Sequence, residues 1–519
     1  MALYRAFATV GSMTMISRLL GFLRDILIAF VLGTGLVADA FFVAFRFPNL
    51  FRRLFGEGAF NAAFVPLFAK KLEGEGKQTA ETFAKNIAGL LITALLITTA
   101  LAEIAMPWLI YIIAPGFDET PEKLDLAVLL TRITFPYLAC MSLVALLSGM
   151  LNTLGKFAAA AAVPILLNII LIAVMGLTIA MDWSETHQAG ILLSWGVAIA
   201  GFVQLFLLIF YVRKEGYSLK PSRPKLTPDA KKFLKLSVPG VIAGGITQIN
   251  IMIGTIIASM QASAVSYLYY ADRLYQLPLG IVGIAIGVVL LPELSKQLRA
   301  GNHETVMNSQ NRALEFSALL TLPAAIALFI IPEALIKVLF ERGAFDAIAT
   351  TATATALAAF AIGLPSFVLI KVFSPGFFAN EDTKTPMIYA GISMIINVAI
   401  SLALFPLYGH VGIAIATTIA GWANALLLGI TLHQRGLFKI DDQLKAKCPR
   451  IALSSFLMGA VLYALTPHFA PYLEQENGLV IRALMLLGLI TCGIIIYALS
   501  AQLTGAAKLK ELKASLRKS

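Results

Sequence analysis

Long apolar runs recur along the whole chain and are separated by short polar connections. A helix of roughly 20 apolar residues spans the hydrocarbon core of a bilayer, which is about 30 Å thick. Runs of this length occur about fourteen times, with centres near Leu20, Phe51, Leu95, Leu143, Ile170, Val203, Ile249, Ile284, Ala325, Leu364, Ile395, Leu427, Phe456 and Ile490. The pattern therefore predicts an all-α polytopic membrane protein with about fourteen transmembrane helices.

The composition supports the same class. Of the 519 residues, 59% are hydrophobic and only 13% are charged. A water-soluble protein of this composition would lack the polar groups needed to cover its surface. The first apolar run contains Arg18, Arg24 and Asp25 and has no small-residue cleavage site. It is therefore predicted to be a retained transmembrane helix, and not a signal peptide.

The basic residues indicate how the chain is oriented. The formal net charge is +11, and most of the 40 lysines and arginines fall in connections on one side of the predicted helices. The stretch 213–235 and the tail after Lys508 are the densest examples. By the positive-inside rule this side is cytoplasmic, so we expect both termini there. Lys123, Arg132, Lys337, Arg342 and Arg482 then fall at the outer side or its rim. Basic charge distributed in this way reflects topology and does not indicate a nucleic-acid partner.

A polar stretch near the middle of the chain separates two similar halves. Pro66 corresponds to Pro292, and Pro107 to Pro332, at nearly the same offset. We predict an N-terminal lobe at 1–215, a basic cytoplasmic linker at 216–235, a C-terminal lobe at 236–436, and two extra helices with a basic tail at 437–519. Six helices in each lobe would make the two lobes pseudo-symmetric about an axis along the membrane normal. Chance recurrence of proline at similar spacings is the alternative.

Charged side chains inside the first two predicted helices are the main functional signal. A charge at the bilayer centre costs about 2.5–3.5 kcal/mol on insertion scales, so such residues normally face a watery cavity and mark a pathway. The charged residues are Arg18, Arg24, Asp25, Asp39, Arg46, Arg52, Arg53 and Glu57, and the polar residues Ser17 and Asn49 accompany them. Because positive charge exceeds negative charge, the cluster predicts an anionic passenger.

The second half of the chain has one comparable intramembrane pair, Asp272 and Arg273. At the repeat offset this pair corresponds to a position beside Arg46, so we expect arginines of both lobes to line one central space. Two parallel guanidinium hydrogen bonds suit phosphate oxygens, which favours a pyrophosphate as the bound group. The alternative is that the arginines form internal salt bridges. We favour salt bridging for Arg53 with Glu57 and cavity lining for Arg18, Arg24, Arg52 and Arg273.

The sequence offers no catalytic or metal site. Residues 149–156 are the nearest match to a phosphate-binding loop, but the spacing of the glycines and the final hydroxyl residue are wrong. The three cysteines and five histidines lack metal-binding spacings. We expect a non-enzymatic protein without a cofactor. Coupling to a monovalent cation or to the membrane potential stays open, since Asn250, Asn380, Asp382 and Asn397 offer oxygens that polar helix packing explains equally well.

Several motifs are specific enough to identify a family. The segment Ser-Met-Thr-Met-Ile-Ser-Arg-Leu-Leu-Gly-Phe-Leu-Arg-Asp from Ser12 resembles the opening of the MurJ (MviN) family of lipid II flippases. The charged segment that begins at Asp39, the motif Ala114-Pro-Gly-Phe and the motif Tyr269-Tyr-Ala-Asp-Arg-Leu extend the resemblance over nearly the full length. It implies the fold of the MOP exporter superfamily, with two six-helix lobes, two additional helices and alternating access.

The resemblance also implies roles for individual residues. Substrate binding falls to Arg18, Arg24, Arg52, Arg273, Ser17 and Asn49, and gating or charge pairing to Asp25, Asp39, Arg46, Arg53, Glu57 and Asp272. We expect Asp25 and Asp39 to hold or release the arginines. The implied partner is lipid II, the undecaprenyl-pyrophosphate-linked precursor, in a bacterial inner membrane, with its tail beside the last two helices. Another exporter of the superfamily, and a non-transporting scaffold for cell-wall enzymes, are the alternatives.

Overall fold

The structure is a computed structural model that describes residues 2–52, 63–218, 220 and 223–507. Within these ranges, the side chains at 2–8, 47–48, 51–52, 239–244, 247, 284–285 and 287–289 are not described. The described residues form helices and connecting turns without any strand. They divide into two compact units, the first unit at 1–266 and the second unit at 267–519.

In its described residues, the first unit contains nine α-helices. They are α1 (Ala2–Leu32), α2 (Leu36–Arg52), α3 (Val65–Gly74), α4 (Lys77–Ile113), α5 (Pro121–Thr134), α6 (Pro136–Thr153), α7 (Phe157–Ala180), α8 (His187–Lys214) and α9 (Pro228–Ser259). A 3₁₀ turn, Pro115–Glu119, connects α4 to α5. Helix α1 packs on α7, α2 on α5, and α8 on both α6 and α7. The charged helices α1 and α2 are therefore each held by a neighbour within the same unit.

The helices of the second unit follow in order. They are α10 (Ala264–Arg299), which begins at the end of the first unit, α11 (His303–Ile330), α12 (Pro332–Leu339), α13 (Ala347–Phe378), α14 (Lys384–Tyr408), α15 (His410–Gln434), α16 (Asp442–Phe469) and α17 (Gly478–Thr504). Two 3₁₀ turns, Ala470–Leu473 and Gln475–Asn477, lie between α16 and α17. Helix α13 packs on α11 and α15, and α16 packs on α11 and α17.

Ten segments of the described chain are long and apolar enough to cross a membrane. They are α4, the α5–α6 pair at 121–153, α7, α8, α11, α13, α14, α15, α16 with its following turn, and α17 with its preceding turn. The remaining predicted centres, Leu20, Phe51, Ile249 and Ile284, lie in α1, α2, α9 and α10. The all-α polytopic class is thus confirmed, and the count of fourteen transmembrane helices stays a prediction.

The predicted basic linker is partly attached to the first unit and partly helical. Tyr217 is buried, and the Ser218 N–H donates to the Glu81 carboxylate at 3.2 Å. Helix α9 begins at Pro228, inside the predicted linker 216–235. The Thr227 hydroxyl accepts from the Ala230 N–H as an N-cap, and proline suits the first turn because it has no N–H to satisfy. The lobe boundaries themselves stay a prediction.

The two C-terminal helices, α16 and α17, are hydrogen-bonded to other helices of the second unit. On α17, the buried guanidinium of Arg482 donates to the backbone carbonyl of Lys337 at 2.6 Å and to that of Glu341 at 3.3 Å. At the other end, Lys447 of α16 donates to the Glu315 carboxylate of α11 at 2.5 Å. Arg482 was predicted at the outer rim, and in the structure it is buried as a cap for the carbonyls at the end of α12.

Candidate functional site

Arg24 and Asp25 form a buried ion pair in α1. Arg24 is 8% exposed, and Asp25 is also buried. The guanidinium donates from Nη2 to Asp25 Oδ1 at 2.7 Å and from Nε to the same oxygen at 3.1 Å. When a carboxylate accepts hydrogen bonds from two N–H groups of one guanidinium, the orientation of the guanidinium plane is fixed. We expected Arg24 to line a cavity, but in the structure it is buried in an internal ion pair, because the carboxylate of the next residue lies within reach of its guanidinium. Arg24 is therefore a preoriented cation within a helix that is otherwise largely apolar.

Asn168 of α7 completes this arrangement. Its Oδ1 accepts a hydrogen bond from Arg24 Nη1 at 3.0 Å, and its Nδ2 donates to the Ser17 carbonyl at 2.9 Å. A Cβ at Gly21 would lie 3.5 Å from Asn168 Nδ2, so the amide approaches α1 closely at this glycine. Sequence reasoning did not select Asn168. The available signal was a single amide in the middle of the apolar helix α7.

Arg18 and Ser17 lie one to two turns before Arg24 on α1. The Arg18 side chain is exposed and Ser17 is partly exposed. Among the residues that the structure describes, no acceptor or acid lies within bonding distance of the Arg18 guanidinium. Helix α1 therefore carries one cation with fixed partners and a second cation open to its surroundings.

Asp39 of α2 is fully buried, with 0% exposure, and pairs with a lysine. Lys123 Nζ of α5 donates to Asp39 Oδ2 at 2.6 Å. We expected Asp39 to hold an arginine and Lys123 to lie on the outer side or its rim, so the partner assignment was wrong. Lys123 stands in the first turn of α5, and the packing of α5 on α2 buries it.

The same carboxylate binds the beginning of α10. Both its oxygens accept backbone N–H groups at 3.0 Å, one from Ser263 and one from Ser266. The Ser266 hydroxyl also donates to it. A negative charge at a helix N-terminus satisfies free N–H groups and complements the helix dipole. Ser263 has a φ of 62°, in the left-handed region that non-glycine residues rarely adopt, so this turn is held by its contacts.

Glycine in the motif Ala114-Pro-Gly-Phe has a steric role near this turn. A Cβ at Gly116 would lie 2.2 Å from the Ser259 carbonyl oxygen at the end of α9. The Gly116 N–H donates to the Ser259 hydroxyl at 3.3 Å. Only glycine permits this approach. The end of α9 is therefore held by Gly116, and the beginning of α10 is held by Asp39.

The other predicted residues of α2 are only partly described. Arg46 is partly buried and donates to the Thr255 hydroxyl of α9, and Asn49 is partly buried. Arg52 ends α2, but its side chain is not described. Arg53 and Glu57 lie outside the described residues, so their predicted pairing stays a prediction.

Asp272 and Arg273 lie on α10 within the second unit, and both are partly buried. The Asp272 carboxylate accepts a hydrogen bond from Gln276 one turn later. The guanidinium carbon of Arg273 lies 4.5 Å from the centre of the Tyr269 ring, a cation–π contact. Arg273 therefore rests on an aromatic face, whereas the described contacts of Arg24 are with a carboxylate and an amide.

The groups considered for a metal or cation have other contacts. Within the described part of the chain, no cluster of His, Cys, Asp and Glu could hold a metal ion. Asn397 accepts from the hydroxyls of Ser401 and Thr417, each at 3.4 Å. Asp382 pairs with Arg435 outside the membrane-spanning segments, and hydrogen bonds from Thr385 lower the pKa of Asp382 to about 2. These oxygens contribute to helix packing and capping.

Comparison with known proteins identifies the family. A family model described as "Lipid II flippase MurJ" matches residues 28–484. A probable lipid II flippase MurJ from Rhizobium meliloti (strain 1021) is 49% identical over 522 residues, which cover 100% of this chain and 97% of the relative. The chain belongs to the MurJ family. The family resemblance inferred from the motifs is thus confirmed.

Further relatives and solved structures agree with the MurJ assignment. A lipid II flippase MurJ from Burkholderia cenocepacia is 36% identical and matches 85% of this chain and 85% of the relative. The structure of a lipid II flippase MurJ in an inward closed conformation superposes with a TM-score of 0.79 at 28% identity, covering 95% of this chain and 98% of that one. An inward-facing MATE transporter of the MOP superfamily, at 14% identity and a TM-score of 0.67, covers 83% of this chain and 98% of that one and shares the fold.

Proposed function

We propose that this protein is a lipid II flippase of the bacterial inner membrane. It moves the undecaprenyl-pyrophosphate-linked disaccharide-pentapeptide from the cytoplasmic to the periplasmic leaflet by alternating access. The head group passes through a hydrated interior, and the polyprenyl tail stays in lipid beside α16 and α17. The observation that carries the proposal is the preoriented, buried Arg24 site in a chain of the MurJ family. Transport of this kind needs no catalytic residue.

Arg24 and Arg18 both bind the pyrophosphate, Arg24 as a fixed positive charge and Arg18 as a mobile one. Asp25 and Asn168 hold the Arg24 guanidinium in one orientation, so little conformational freedom is lost when an anion arrives. Arg18 is exposed on the same helix and supplies a mobile positive charge. In this proposal Arg52, Arg273, Ser17 and Asn49 complete the set that contacts the head group. A guanidinium keeps its proton, and therefore its positive charge, throughout the cycle.

Asp39 holds the beginning of α10 in one state of the transport cycle and releases it in another. Its carboxylate joins α2 to α5 through Lys123 and to the beginning of α10 through the Ser263 and Ser266 N–H groups. With cytoplasmic termini, these groups lie toward the periplasmic side. Release of α10 from Asp39 would let this side open, and its return would close it. Asp25, Arg46, Arg53, Glu57 and Asp272 are proposed to exchange partners in the same transition. A ligand steers such a transition only if it binds the two states differently.

Complementation of cells depleted of their own flippase distinguishes a transporter from a scaffold. We expect the wild-type protein to restore lipid II in the periplasmic leaflet, measured by its accessibility to an external reagent. Arg24→Ala should fail to do so at equal protein level, because the fixed charge is lost. Arg223→Ala, at an exposed cytoplasmic position, is the matched control and should restore export. If even the wild-type protein leaves lipid II inaccessible, the protein is a scaffold and the proposed function is wrong. If Arg24→Ala restores lipid II exposure like the control, the protein transports lipid II without the Arg24 charge.

A further inference from the structure

Lys371 is the one charged residue of the apolar helix α13. This helix is long and apolar enough to cross a membrane. Lys371 lies about 10 Å from its C-terminal end, at 1.5 Å per residue, which the positive-inside assignment places toward the cytoplasm. Charged residues within membrane-crossing helices are rare and generally serve a function. None of the roles assigned above involves Lys371.

The side of α13 that carries Lys371 faces α10. The Tyr275 ring of α10 lies 5.1 Å from the Phe360 ring and 5.7 Å from the Phe367 ring of α13. Phe360, Phe367 and Lys371 share one side of α13 because they recur at helical spacing. At Gly283 of α10, a Cβ would lie 2.7 Å from Lys371 Cδ and 3.0 Å from Cε. The lysine stem therefore crosses α10 where glycine leaves room for it.

The side chain of Lys371 is nevertheless exposed. Its ammonium makes no hydrogen bond or ion pair with any side chain or carbonyl in the described ranges. The most exposed apolar residues of α13, Ile348 at 73% and Ile362 at 52%, lie on another side, with Ile362 about half a turn around the helix from Lys371. Phe378, at 40% exposure, lies on the same side as Lys371 about two turns later, at the end of the helix. The ammonium is therefore exposed beside α10, on the side of α13 away from Ile348 and Ile362.

Snorkelling explains many lysines near helix ends, because the stem lies along the lipid-facing surface and the ammonium reaches the interface. Lys371 does not have this geometry. Its stem lies across Gly283, on the side of α13 whose phenylalanines contact α10. An ammonium held there remains beside α10 and is available to an anion that approaches this side of α13.

We propose that Lys371 is an anion-binding residue of the second unit, which contacts the anionic head group of the transported lipid through its pyrophosphate or a peptide carboxylate. The inference rests on the proposed function and extends it. Gly283 lies about 15 Å along α10 from Arg273, at 1.5 Å per residue. Lys371 and Arg273 thus provide two cationic positions along one helix, the lysine nearer the cytoplasm. A compact ammonium with three rotatable donors suits a group that is bound and then passed on.

Equilibrium binding to the purified full-length protein tests this inference. The two probes are lipid II and undecaprenyl pyrophosphate, which lacks the sugars and the peptide. Lys371→Gln should raise the Kd for lipid II about tenfold, and Lys371→Arg should stay within about threefold of wild type. Gly283→Ala should also raise the Kd, because the added methyl displaces the lysine stem. Lys296→Gln, at an exposed lysine further along α10, is the matched control and should bind like wild type.

The pattern across the probes assigns the contact. Loss of affinity for both lipids places Lys371 on the pyrophosphate, and loss for lipid II alone places it on a peptide carboxylate. If Lys371→Gln is folded, as judged by its thermal unfolding, and binds both lipids like wild type, the inference is wrong although the proposed function stands. If the wild-type protein binds neither lipid, the proposed function itself fails.

Discussion

Several cations in or beside the predicted membrane helices have different surroundings in the two units. In the first unit, Arg24 and Lys123 are buried against carboxylates at 2.7 Å and 2.6 Å. In the second unit, Arg273 lies on an aromatic ring and Lys371 is exposed beside a glycine. Cations held by buried carboxylates are preoriented, and their loss leaves a buried charge uncompensated. Cations on an aromatic ring or at an exposed position change their orientation more easily. The comparison predicts that Arg24 keeps a fixed geometry when a ligand binds, whereas Arg273 and Lys371, like the exposed Arg18 of the first unit, can adapt to it.

The largest effect is expected at Asp39. Asp39→Asn would leave Lys123 buried without a charge partner and weaken the attachment of α10. Breaking a buried ion pair by removing one partner costs about 3–5 kcal/mol. We expect a clearly lower midpoint of thermal unfolding for the purified protein, together with loss of transport. Asp442→Asn, at a fully exposed carboxylate, is the control. If the midpoint of thermal unfolding for Asp39→Asn equals that of the control, the contacts of Asp39 do not stabilise the first unit.

An intermediate effect is expected at Asn168. Asn168→Ala removes the acceptor of Arg24 Nη1 and the donor to the Ser17 carbonyl. A hydrogen bond to a charged group contributes about 1.5–3 kcal/mol, so we expect the lipid II transport rate to fall about tenfold. Thr178→Ala is the control, because this buried hydroxyl of α7 bonds only to its own helix. Transport at the rate of the control would show that the orientation of Arg24 does not depend on α7.

The smallest effect is expected in the second unit, at Tyr269. Tyr269→Leu removes the ring beneath Arg273, and cation–π contacts contribute about 0.5–2 kcal/mol. We expect a decrease of about threefold in lipid II affinity, measured by equilibrium binding, because the arginine keeps its charge and can find another orientation. If Tyr269→Leu lowered the affinity for lipid II by a larger factor than the factor by which Asn168→Ala lowers the transport rate, the expected order of the two units would be reversed.

The sequence was sufficient for the class, the family and the charged helices. The apolar runs predicted the helices because a bilayer demands a fixed length, and the motif from Ser12 indicated the family. Asn168 was missed, and the partner of Asp39 was assigned wrongly, because these contacts join helices far apart in the chain. A lysine in a connection, such as Lys123, is typically solvated, and only the packing of α5 on α2 explains its burial. Likewise, the role of Gly283 depends on a side chain of another helix.

The most direct test of the central claim is lipid II transport by the purified protein in proteoliposomes. The measurement compares wild type with Arg24→Ala and Arg24→Lys, which keeps the charge and loses the planar fork. We predict transport by wild type, background rates for Arg24→Ala, and a rate for Arg24→Lys close to background, because lysine cannot make the paired contacts of the guanidinium. Transport by Arg24→Ala at the wild-type rate would show that the Arg24 guanidinium is not needed to move lipid II.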